Sequence, residues 1–269
     1  MASLDSRKPS FGNTPTQRSR ITYYLLLIEN LMGALDDDTV EQTVLPFIYP
    51  YLQDNSDIHL FESAHSVMLA IFSNTKKVTN ELAPFYCNLL LESYPKLIHV
   101  AQFRIAYTTI IKSLSNTDDA LTFLCLEKLI KKIEDTPLSA LTPLDTDKSK
   151  KMIPIESTLM SSDKSSYSTF VDSTGENRSV KNKDDEIQSF ASHLNRGHLL
   201  LTLIDQIRSV NLIFLETLLA KIKYFLQAEQ EGVGKQAIKK ALFDALSTGL
   251  DYTKKDNGVK WWLSEGPKL

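Results

Sequence analysis

Cysteine is nearly absent from this chain. Its 269 residues carry two, Cys87 and Cys125. Both sit inside apolar periodic runs, so they read as buried thiols and give no material for a disulfide framework. Two cysteines and five scattered histidines also leave little for a structural zinc site. Nine glycines and ten prolines are too few for a collagenous or low-complexity chain. No charge sign dominates: 30 Lys and Arg stand against 33 Asp and Glu, formally −3. That argues against a general nucleic-acid binder, which would carry a basic face. No run reaches the roughly 18–20 apolar residues of a membrane span. The nearest, Ile21 to Ile28, is cut by Glu29 and Asn30. Arg7, Lys8, Arg18 and Arg20 before it faintly imitate a signal peptide. The basic region is too long for one, the apolar core too short, and no clean small-residue cleavage site follows.

What is present is helical periodicity, starting at Ile21. Residues 1–19 are polar, hold Pro9, Gly12 and Pro15, and predict disorder. Asp38 with Glu41 predicts a capping box ahead of Val40, Val44, Phe47 and Ile48, in a helix that Pro46 and Pro50 kink or shorten. Apolar residues then recur at three- and four-residue spacing. One stripe is Leu60, Phe61, Ala64, Met68, Ile71 and Phe72; the next is Leu82, Phe85, Tyr86, Leu89 and Leu90, closed by Pro95. Val100, Phe103, Tyr107, Ile110, Ile111 and Leu114 form a third. Asn116 or Thr117 is the expected cap of a fourth, running through Leu121, Leu124, Leu126, Leu129, Ile130 and Ile133.

Composition changes after Pro137. Between Asp145 and Ser189, 33 of 45 residues are charged, Ser, Thr, Asn or Gln. Such a stretch buries too little apolar area to offset its ordering entropy, and residues 138–190 read as a disordered insertion. Stripes return at Leu199–Ile207, Ile213–Leu226 and Val233–Leu250. No window alternates at period two, so no sheet is expected. The expected fold is all-α: antiparallel helix pairs stacked as a HEAT- or armadillo-like α-solenoid, with helices over 20–137 and 191–263 flanking the insertion, and a flexible tail at 264–269.

The chemistry-bearing patterns are sparse. There is no Gly-x-Ser-x-Gly elbow and no His-Glu-x-x-His. Gly232-Val-Gly234-Lys235 lacks half of a phosphate loop and reads as a turn between helices. His65 shares the Phe61, Met68 and Phe72 face and reads as a hydrogen-bonded core histidine. His193 and His198 have no acidic or cysteine partner to complete a metal site. Asp36-Asp37-Asp38 reads as a solvated loop. No catalytic, cofactor or metal residues are nominated: an enzyme is not expected, nor a small-molecule substrate.

Two features near the C-terminus stand out. Trp261 and Trp262 either fold back onto the last helix or anchor a partner, since Trp is enriched at interface hot spots. The chain then ends in Pro267-Lys268-Leu269. Small-basic-Leu at a free C-terminus is the peroxisomal address, with Ser-Lys-Leu as its type form, and Pro in the first place departs from it. A generic HEAT- or armadillo-like cytosolic adaptor with a chance Lys-Leu ending is the alternative reading.

The run Leu60-Phe-Glu-Ser-Ala-His-Ser-Val-Met-Leu-Ala-Ile-Phe72 resembles the eighth fungal peroxin family. So do Leu82-Ala-Pro-Phe-Tyr86, Tyr94-Pro95, Gln102-Phe-Arg-Ile-Ala-Tyr107, Leu242-Phe-Asp-Ala-Leu246 and Lys260-Trp-Trp-Leu263. The resemblance implies a non-enzymatic helical scaffold, peripheral on the matrix side of the peroxisomal membrane. Its partners would be the receptor-docking complex, the RING ubiquitin-ligase complex and the cycling import receptor, with a part in cargo release. The family's C-terminal targeting tripeptide maps onto Pro267, Lys268 and Leu269.

Overall fold

The computed structural model describes residues 14–54, 56–137 and 196–269. The expected insertion at 138–190, His193 and residues 1–13 lie outside them. Among the described residues the regular structure is entirely helical.

The first helix, α1 (Pro15–Leu31), begins inside the stretch expected to be disordered. Thr14 accepts from the Gln17 amide, and Pro15 presets the first helical φ without costing an internal hydrogen bond. A short α2 (Asp37–Thr39) passes through one π turn (Val40–Val44) into α3 (Leu45–Gln53). The cap here is Asp36, bonded to the Thr39 amide and hydroxyl, and not Asp38. The π turn sits just before Pro46, where the missing N–H would otherwise break an α-helical ladder.

The helices α4 (Ile58–Ser73), α5 (Thr79–Ser93), α6 (Val100–Leu114) and α7 (Asp119–Glu134) follow the predicted stripes. Asp57 caps α4, and His99 with Gln102 forms a capping box on α6. Asp118 caps α7, one residue beyond the expected Thr117. The chain resumes with α8 (Arg196–Asp205) and a 3-10 turn (Gln206–Arg208), then α9 (Leu212–Ala228), α10 (Val233–Thr248) and α11 (Tyr252–Glu265). Gly232 is the N-cap of α10, in the turn read from the glycines.

The helices stack in two rows. In one row α1 packs on α4, α4 on α6, α6 on α8 and α8 on α10. In the other α5 packs on α7 and α9 on α11. Ring stacking joins this second row across its gaps: Tyr49 of α3 lies 5.5 Å from Phe85 of α5, and Phe123 of α7 lies 6.1 Å from Phe214 of α9. From α3 onward each helix thus meets its second neighbour along the chain, while α1 meets α4 past the short α2 and α3; alternation of this kind is how helix pairs form a solenoid. One core runs through the whole stack, from Ile21 to Leu269. Phe61, Phe72, Tyr86, Phe103 and Tyr107 are its largest buried rings. Each polar tip finds a partner, as buried tyrosines require: Tyr107 donates to the Cys125 carbonyl at 2.7 Å, and Tyr86 meets His65 Nδ1 at 2.9 Å.

The tail differs from expectation. A 3-10 turn (Gly266–Lys268) continues α11, and Leu269 is only 8% exposed, within the core cluster. The turn fits because Gly266 lies on the Trp262 indole, where an added Cβ would come within 2.8 Å of the ring.

Candidate functional site

Among the described residues a groove of about 1250 Å³ lies where α6, the 3-10 turn and the starts of α9 and α11 converge. From α6 it takes Arg104, Thr108 and Lys112, spaced by four and therefore on one face. Arg104 clamps Asp205 through Nε at 2.7 Å and Nη2 at 3.0 Å, a bidentate pair that joins α6 to α8. Asn211, the N-cap of α9, turns its amide away from that helix. It donates instead to the Ser115 carbonyl at 2.9 Å and to Asp119 at 2.7 Å. Lys254 reaches down to the carbonyls of Arg208 and Val210 at 2.9 and 3.0 Å and pairs with Asp251 at 3.0 Å. The Thr253 hydroxyl, and then Lys254, hold the Asp251 carboxyl at about 2.

These bonds engage all three acids of the groove. Two of its four cations are used as well. Lys112 and Arg208 are exposed and carry no acidic partner among the described residues. The spare charge of the groove is positive. Leu212 and Ile213, the latter 67% exposed, form its outer lip. Beyond them lies a second depression of about 460 Å³, bounded by Ile213, Leu219, Lys260 and Trp261, with Glu216 on its edge.

The residues nominated from the sequence occupy different positions. Trp261 and Trp262 are both partly buried against the core, and Trp262 lies 5.2 Å from Phe243. Trp261 also faces the second depression, whereas Leu263 is 73% exposed. Lys268 pairs with Glu265 at 3.0 Å, and Glu265 pairs with Lys223 of α9 at 2.5 Å. Lys223 and then Lys268 hold the Glu265 carboxyl at about 2. His65 is a core histidine, 8% exposed, and burial holds its imidazole at about 4. His198 lies beside the Tyr94 hydroxyl at 3.3 Å and is likewise held at about 4, by burial and then by the Arg104 charge. Among the described residues no cluster of His, Cys, Asp and Glu could hold a metal, and no helix is long and apolar enough to cross a membrane.

A further surface is the outer face of α1, where Tyr23, Leu27 and Leu31 recur at four-residue spacing and stand exposed. The sequence reading missed both this face and the groove. Arg104, Thr108 and Lys112 show a periodic signal, but Arg208 and Lys254 belong to it only through the fold.

Residues 1–73 match a family model described as the PEX8 central TPR-like domain. The chain is 33% identical over 144 residues to the peroxisomal membrane protein PEX17 of Yarrowia lipolytica, covering 49% of this chain and 22% of that protein. It is 27% identical over 115 residues to peroxisomal biogenesis factor 8 of Pichia angusta, covering 37% of this chain and 18% of that protein. The matched part of the chain thus corresponds to about a fifth of the length of these relatives. No solved structure matches it. Together these matches support a fungal peroxin family of the PEX8 type, the family that the residues of α4 to α6 resemble.

Proposed function

We propose that this chain is a non-enzymatic scaffold of peroxisome biogenesis and matrix protein import. It sits peripherally on the matrix side of the peroxisomal membrane and bridges the receptor-docking complex to the RING ubiquitin-ligase complex. The observation that carries the reading is similarity to two peroxins in a chain whose described residues form a stack of helices with a polar, ion-paired groove. A stacked-helix rod offers long surfaces for protein partners, and its rigidity keeps two of them at a fixed separation.

The same proposal gives Pro267, Lys268 and Leu269 a role in engaging the import receptor. Lys268 supplies charge-assisted hydrogen bonds and Leu269 an apolar plug. In the conformation described here Leu269 is buried and Lys268 is paired with Glu265. Receptor engagement therefore requires the 3-10 turn to lift from Trp262. Trp261 and Trp262 anchor the helix against which the tail rests, and competition for the receptor's groove would aid cargo release.

Localisation of the chain with an N-terminal tag and a free C-terminus, with and without Leu269, tests the reading. Peroxisomal signal, and receptor capture that weakens on deleting Leu269, are expected. Diffuse cytosolic signal would contradict the proposal and favour a cytosolic adaptor. Unchanged receptor affinity would remove the tripeptide from it.

A further inference from the structure

The polar groove lies apart from the C-terminal tripeptide, and what it can bind follows from its charge accounting. Asp119 is bonded by Asn211, Asp205 is clamped by Arg104, and Asp251 is bonded by Thr253 and Lys254. Lys254 is buried under this arrangement and is already satisfied by two carbonyls. Thr109 and Thr253 already donate to the Ile105 carbonyl and to Asp251, so the groups left to meet a ligand are the Lys112 ammonium, the Arg208 guanidinium and the Thr108 hydroxyl, whose oxygen accepts from Gln206 at 3.2 Å. Asn211 is a neutral donor and leaves the Asp119 charge in place, so four cations against three carboxylates give the lining a net +1; Lys112 and Arg208, which have no acidic partner among the described residues, offer charge-assisted hydrogen bonds to carboxylates. At about 1250 Å³ the groove exceeds the usual range for small-molecule sites, roughly 300–1000 Å³. It is large enough to take a short stretch of chain.

The surroundings set the polarity of that chain. Leu212 and Ile213 form an apolar lip between the groove and the depression faced by Trp261. Glu216 also lines that depression and, with Lys260 paired to Asp256 at 2.6 Å, disfavours acidic residues there. We infer that the groove is a docking site for a short acidic peptide segment of a partner protein, its carboxylates over Lys112 and Arg208 and a neighbouring apolar side chain between Ile213 and Trp261. This inference stands independently of which complexes the chain bridges, because it rests on the groove alone.

The test is fluorescence anisotropy on the full chain with a labelled hexapeptide, Glu-Asp-Glu-Asp-Gly-Leu, and its Gln/Asn counterpart. Saturable binding of the acidic probe is expected, at least tenfold tighter than the counterpart and weakening as salt rises. The double variant Lys112→Gln/Arg208→Gln should lose at least tenfold. A control pair on the last turn of α7, Lys131→Gln/Lys132→Gln, should lose less than twofold. Ile213→Ser should weaken binding severalfold without changing the salt slope. Lys112→Gln alone provides the test if the double variant fails to fold, and should weaken binding at least threefold. Absence of saturable binding would overturn the inference. So would equal binding of the counterpart, equal loss in the α7 control, or displacement by a single-stranded oligonucleotide that binds more tightly than the peptide.

Discussion

Arg196 donates from Nη1 to the carbonyl of Thr136 at 2.7 Å, and so ties the end of one described stretch to the start of the next. The same guanidinium bonds the Ile133 carbonyl and the Glu229 carboxylate, and lies over the Phe225 ring at 5.4 Å. Arg196 and Glu229 are both buried. One side chain therefore caps the C-terminus of α7, starts α8 and fastens the end of α9.

Removing Arg196 would leave the Glu229 carboxylate buried without its partner. Arg196→Ala is expected to destabilise the fold by about 3–5 kcal/mol, read from urea unfolding. Arg196→Met combined with Glu229→Leu should recover part of that loss, because it removes the unpaired carboxylate, while the Ile133 and Thr136 carbonyls still lose their donor.

Because both rows of helices continue across it, the stretch between Pro137 and Arg196 should be replaceable. Substituting it with a flexible linker of about ten Gly and Ser residues should leave the Tm within a few degrees, since loop-closure entropy changes only slowly with length. A collapse of the Tm would show that the stretch contributes to the core.

Buried histidines give the stability a defined pH dependence. His65 and His198 have folded values of about 4, against an ordinary 6.5. The unfolded chain therefore takes up protons first as pH falls, so their contribution is complete above about 6.5 and is lost down to about 4. The Tm should fall across that window. In the variant carrying both His65→Gln and His198→Gln, the slope in that window should flatten.

The tail clasp titrates in a lower window that adjoins that of the histidines. Glu265 is depressed to about 2 from 4.5 by Lys223 and then Lys268, so the clasp holds above about 4.5 and is lost as pH falls through about 2. In Lys223→Gln the Glu265 carboxyl carbon, followed by NMR, should titrate closer to the ordinary carboxylate range. An unchanged midpoint would show that Lys223 does not hold the tail.

The helical stripes were open to reading because each repeats at the helical period over several turns. Leu60, Phe61, Ala64, Met68, Ile71 and Phe72 are all buried as the spacing predicts. The helix α1 shows where such reading stops. Ile21 to Ile28 is apolar all round, so periodicity does not separate the buried Ile21 and Leu25 from the exposed Tyr24 and Leu27. Thr14-Pro15 is a helix-start signature, yet the polar residues around it point toward disorder. The groove was illegible because Arg104, Arg208 and Lys254 come together only when α6, the 3-10 turn after α8 and α11 pack. The tail was misread because Gly266 and Pro267 suggest a free end, whereas the glycine is what lets the turn lie on Trp262.

The proposed bridging is tested most directly by capturing a docking-complex subunit from solubilised peroxisomal membranes, prepared with and without this chain. RING-complex subunits are expected to co-purify when the chain is present and to be lost when it is absent. RING subunits recovered equally in both preparations would contradict it.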